Sequence, residues 1–142
     1  MRRIIPLLFL ALVFVLPRTV FAAGGARVHA MLVIASNQKG ESDRRLSAYV
    51  PTLRTILRFE SYRLAGEGTA NVGGGKQTLN LGNGHSLELE GDGKGGRLNV
   101  NWKHGGRSVM NTGLMLTGKP AVLGGPSTGN GDEVYAVIVV AD

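Results

Sequence analysis

Apolar and polar residues alternate along most of this chain, and the period of the pattern changes only once. From Arg27 to Ala35, Val28, Ala30, Leu32 and Ile34 point one way, while Met31, Val33 and Ala35 join His29 on the other. A strand apolar on both faces belongs at the centre of a sheet. After a polar loop from Ser36 to Gly40, Leu46, Tyr49, Leu53, Ile56 and Leu57 recur at helical spacing, with Ser42 or Asp43 placed to cap. This predicts one long amphipathic helix near the N-terminus, with a break or bend near Val50 because Pro51 lacks an amide hydrogen.

Strand periodicity then returns. Glu60–Leu64 and Thr69–Val72 read as one strand interrupted at Gly66-Glu67-Gly68, the place for a bulge. Lys76–Leu81 and His85–Glu90 flank Gly82-Asn83-Gly84, and Asn-Gly between alternating runs signals a hairpin. Arg97–Lys103 alternates Leu98, Val100 and Trp102 with Asn99, Asn101 and Lys103, as a half-exposed strand does. Ser108–Leu116, Pro120–Leu123 and the almost wholly apolar Val134–Ala141 follow, the last two separated by a flexible loop from Gly124 to Asp132. The expected class is α+β: an antiparallel sheet or small sandwich of about eight strands, with that one helix.

Composition sharpens this picture. All 22 glycines lie beyond residue 23, clustered between the alternating runs rather than at a fixed period, which suits tight turns. The first residues read as an export signal: Arg2 and Arg3, an apolar run from Ile4 to Leu16, then Val20-Phe21-Ala22. Cleavage is expected after Ala22, with Ala23 as the alternative, leaving a single domain over residues 23–142. Arg18 cuts the apolar run short of the roughly 20 residues a membrane span needs, so no span is expected after cleavage. Without cysteine, the chain has no disulfides, no lipid attachment site, no thiolate zinc site and no thiol nucleophile.

The whole chain has 16 basic and 10 acidic residues; removing Arg2, Arg3 and Arg18 leaves 13 against 10, a net of +3. Nucleic-acid binding would need a basic stripe. The one basic cluster, Arg44, Arg45, Arg54 and Arg58, lies on the helix and reads as its solvated face. No nucleic-acid partner is expected.

The motifs that suggest chemistry lack the structural context that chemistry requires. Gly91–Gly96 matches a dinucleotide fingerprint literally, but a strand pattern follows where a helix N-terminus must hold the pyrophosphate. Gly73-Gly74-Gly75-Lys76 lacks the first glycine and the metal-binding hydroxyl of a phosphate loop. His29, His85 and His104 fall on different elements with no ligand-spaced neighbour. Glu88 and Glu90 share one strand face, which suits a solvated hairpin better than carboxylates flanking a cleft. Asp92 and Asp132 sit in glycine-rich loops without calcium-loop spacing. No catalytic residue, cofactor or metal site is assigned. Tyr49, Phe59 and Tyr62 are expected to seal the helix to the sheet. Trp102 reads either as core or, with Asn99, Asn101 and Lys103, as a platform for a ligand or glycan.

Two stretches carry a family resemblance. Arg27-Val28-His29-Ala30-Met31-Leu32-Val33-Ile34-Ala35-Ser36 resembles the first strand of the conserved domain of secretins, the outer-membrane rings of secretion and pilus machines. Leu116-Thr117-Gly118-Lys119-Pro120-Ala121-Val122-Leu123-Gly124-Gly125 is similar to the glycine-turn hairpin near that domain's end. No family functional residue is carried over. The full layout also resembles small exported bacterial proteins. These likenesses imply a periplasmic or outer-envelope location. The expected function is non-enzymatic protein–protein contact with an envelope partner, as an accessory of a secretion or pilus assembly; a ligand- or glycan-binding β module is the alternative.

Overall fold

A computed structural model describes residues 26–72, 75–91 and 96–141. The segment read as an export signal, residues 1–22, lies outside them, as do Gly73 and Gly74 of one glycine motif and residues 92–95 of the other, Asp92 included. Eight strands are present among the described residues: β1 (Ala26–Ser36), β2 (Ser61–Val72), β3 (Lys76–Gly82), β4 (His85–Gly91), β5 (Arg97–His104), β6 (Arg107–Met115), β7 (Ala121–Ser127) and β8 (Glu133–Ala141). They form two four-stranded antiparallel sheets, ordered β2-β1-β8-β7 and β3-β4-β5-β6.

Alternation along each strand dictates the layers. Val28, Ala30 and Leu32 of β1, Val137 and Val139 of β8 and Leu123 of β7 meet Leu79, Leu81, Leu87, Leu89, Leu98, Val100 and Trp102 of the second sheet. On the first sheet's other face, Met31, Val33, Ala35 and Ile138 pack against Leu46, Leu53 and Tyr62. β1 therefore lies between two cores, as its apolar residues on both faces require.

The helix departs from expectation. It is α1 (Val50–Leu57), only eight residues long, preceded by a single 3₁₀ turn at Arg44–Leu46. Pro51 has no amide hydrogen to donate and occupies the first turn of α1, where none is needed, so the break falls near Val50. Asp43 caps the 3₁₀ turn through Arg45 N at 3.0 Å, and Arg58, in the left-handed region at φ 60°, ends α1. With so few turns, the helix is held by burial of Leu53 rather than by its own hydrogen bonds.

Two other features differ from expectation. β2 is one continuous strand, and its extra residue is Ala65: Leu32 pairs with Gly66 and Val33 with Leu64. Gly124 to Ser127, expected in a loop, belong to β7, where a bulge holds Pro126 on the sheet's edge. The turn Asn83-Gly84 is the expected hairpin, with φ of 54° and 80° at its two central residues. Gly105-Gly106 forms a second turn of the same kind, at 62° and 84°.

Candidate functional site

The two matched hairpin turns bring two histidines together. His85 directly follows Asn83-Gly84, His104 directly precedes Gly105-Gly106, and the β4–β5 register pairs them. Both side chains lie on the inner face, where their rings stack at 3.9 Å and 5°. Tyr135 of β8 closes over His85 from the opposite sheet, with ring centroids 4.3 Å apart. Trp102 Nε1 donates to His85 Nδ1, so neutral His85 carries its proton on Nε2. Buried Nε2 has no hydrogen-bond partner among the described residues.

Burial pushes the His85 pKa down to about 4, and the neighbouring His104 adds to the effect. The imidazole is thus neutral and fully buried, with no described residue in hydrogen-bond reach of Nε2. This geometry locks one end of the sandwich. The pairing was missed because the histidines lie 19 positions apart; the signal was that each flanks a two-residue turn. His29, by contrast, bonds Glu67 across β1 and β2 at 2.8 Å.

The outer face of the second sheet is polar. Thr78, Glu88, Asn101 and Asn111 form one cross-strand row, and Lys76, Glu90 and Asn99 another. Lys103 Nζ donates to Glu88 at 2.9 Å and holds that carboxyl below its ordinary range; Asn101 Nδ2 adds a longer contact of 3.5 Å. The structure divides the four platform residues between two faces: Asn99, Asn101 and Lys103 lie outside, whereas Trp102 is fully buried. Glu88 and Glu90 line a cleft of about 90 Å³ with Lys76, Asn99, Asn101 and Asn111. That is smaller than the roughly 300 Å³ at which small-molecule pockets begin.

Nor do the remaining charges form a stripe. Arg45 pairs with Asp43, Arg63 with Glu133, and Arg54 donates to the Glu60 carbonyl. Among the described residues, no group of three or more His, Asp or Glu side chains could hold a metal ion, and no helix is long and apolar enough to cross a membrane.

β2 and β3 meet at one end, where Gly66 lies so close to the Leu81 carbonyl that a Cβ could not fit and Asn83 Nδ2 reaches the Ala65 carbonyl; toward the other end Thr69–Asn71 and Gln77–Thr78 line an open cleft of about 570 Å³, and Lys76 puts a charge on that end of β3. β7 is interrupted by its bulge and by Pro126. β6, the other edge of the second sheet, carries no such protection over most of its length. Its bulge lies at Val109, because Trp102 pairs with Met110 and Lys103 with Ser108; from Met110 to Met115 its register is unbroken. Ser108 to Thr117 contains neither a charge nor a proline. Met115, 60% exposed, is one of two exposed large apolar residues among those described.

Backbone alternation identifies the free groups of β6. Leu116 N donates to Gly96 O at 2.8 Å, so Leu116, Leu114, Thr112 and Met110 face β5. Met115, Gly113 and Asn111 therefore direct their amide and carbonyl groups outward. Charges, prolines and bulges are the usual protections of such an edge, and Met110–Met115 has none of them. No protein-family model, curated protein or solved structure matches the chain.

Proposed function

We propose that this chain is a non-enzymatic exported protein of the cell envelope that acts by protein–protein contact, as an accessory of a secretion or pilus assembly. The contact is strand addition at β6. One observation carries this reading: the edge offers the outward backbone groups of Asn111, Gly113 and Met115 within the uncharged stretch Ser108–Thr117. The secretin likeness of Arg27–Ser36 and Leu116–Gly125 supports the envelope setting, and the apolar run before Ala22 supports export.

Affinity purification of the tagged protein from its native envelope after mild crosslinking tests the reading. Secretion, pilus or outer-membrane components should be recovered with the native chain and lost with Met115→Lys, which places a charge on the edge. Recovery of no envelope component by the native chain would overturn the accessory role.

A second reading, ligand or glycan binding, rests on the outer face of the second sheet. Asn99, Asn101 and Lys103 there present amide and ammonium groups in adjacent positions.

A further inference from the structure

Resting on the protein-contact reading, we propose that the partner at the β6 edge is β6 of a second copy of this chain, paired antiparallel about a two-fold axis at Gly113. Such an axis places residues of the same face opposite one another, because strand side chains alternate with a period of two. Met110 then meets Leu116 of the second copy and Thr112 meets its Leu114, all on the inner face. Asn111 meets Met115 of the second copy on the outer face.

The inner-face pairs suit one another's chemistry. Met110, Leu114 and Leu116 pack against the core but are only partly buried in the single chain, so the inner pairs complete a core left open on this side. The outward backbone groups of Asn111, Gly113 and Met115 bond those of Met115, Gly113 and Asn111 in the second copy. No like charges meet along the strand, because Ser108 to Thr117 is uncharged. Arg107 and Lys119 of the second copy would face each other only beyond the strand's end, since Lys119 lies in the following turn. A heterologous strand would need its own apolar residues in this alternation, whereas β6 already has them. The two second sheets thus become one continuous sheet of eight strands, and each β6 edge is removed.

Sedimentation of the purified protein over the micromolar range tests the proposal. A dimer is expected, with its dissociation constant raised at least about tenfold by Met115→Lys and by Asn111→Pro. Neither change touches the bonds to β5, and circular dichroism checks that each variant is folded. Because the chain has no cysteine, Gly113→Cys adds a single thiol. On the axis the two copies lie about 5.5 Å apart between Cα atoms, within disulfide range. Mild oxidation should link Gly113→Cys into a dimer and leave Asn130→Cys, in the distant β7–β8 loop, unlinked.

A chain that stays monomeric throughout, or a dimer unaffected by either folded edge variant, overturns the proposal. Envelope purification separates it from the reading on which it rests. A monomer that still captures envelope components through β6 removes the second copy and keeps the accessory role. A β6-dependent dimer that recovers nothing else keeps the second copy and removes the accessory role.

Discussion

Trp102 Nε1 donates a hydrogen bond of 3.0 Å to His85 Nδ1, and both side chains are fully buried. The bond joins the two strands of one hairpin pair and gives the indole its only polar group a partner in the core. Trp102→Ala removes the largest buried side chain, and unfolding in urea should show a loss of about 3–5 kcal/mol. Trp102→Phe keeps most of the volume but leaves His85 Nδ1 bare, and should cost about 1–3 kcal/mol. A Phe variant as stable as the native chain would mean that the bond contributes nothing.

Acid should weaken this end of the sandwich. The folded-state pKa of His85 is lowered to about 4 from an ordinary 6.5, so between those values the unfolded chain binds more protons than the folded one. The stabilisation is present above pH 6.5 and is lost as pH falls toward 4. His104, stacked on His85, opposes a second positive charge, while Trp102 and Tyr135 complete the low-dielectric surroundings. The native chain should lose on the order of 1–3 kcal/mol across this window through His85. Urea titrations at several pH values would detect it as a stability gap between native and His85→Gln chains that shrinks toward pH 4. A gap independent of pH would show that His85 does not titrate as described.

Two glycines hold backbone against fixed neighbours. A Cβ on Gly125 would run into the Trp102 ring, and one on Gly66 would run into the Leu81 carbonyl. Neither obstacle is a flexible side-chain end. Gly125→Ala and Gly66→Ala should each destabilise by about 1–3 kcal/mol or more. Gly40→Ala, with nothing within 4 Å, should change stability by less than about 0.5 kcal/mol. In a double-mutant cycle, Trp102→Phe should relieve part of the Gly125→Ala penalty, because a phenyl ring leaves room at that site.

Local pattern was enough for most of the strands and not for their arrangement. Val28 to Ala35 could be placed at the centre of a sheet because their apolar residues occupy both faces, a property of the sequence alone. The Asn83-Gly84 turn was equally legible, since a two-residue hairpin requires positive φ at both positions. The helix was over-read: Leu46 to Leu57 keep helical spacing across Pro51, but a 3₁₀ turn and a short helix satisfy the same spacing. Gly124-Gly125 read as loop because glycine favours turns, yet Gly125 lies in β7 beside a core ring that excludes any side chain. Stacking of His85 on His104 depends on the register of β4 with β5, which no single strand encodes. The open edge of β6 was likewise invisible, because it follows from the strand order, which places β6 at the end of its sheet.

The outer face of the second sheet offers the remaining prediction. Asn99, Asn101 and Lys103 point away from the core, so Asn99→Ala, Asn101→Ala and Lys103→Ala should leave the fold intact. Lys103→Ala should let the Glu88 carboxyl titrate closer to its ordinary value, because Lys103 is the chief cause of its lowering. If this face binds glycan, a glycan array probed with the native chain should show hits that the Asn101→Ala and Lys103→Ala chains lose while remaining folded. Trp102→Ala would abolish those hits only together with the fold, since its ring lies on the other side of the sheet. Loss of glycan binding in a folded Trp102 variant would place the indole at the ligand and overturn its assignment to the core. An array blank for the native chain removes the glycan reading and leaves β6 as the surface to pursue.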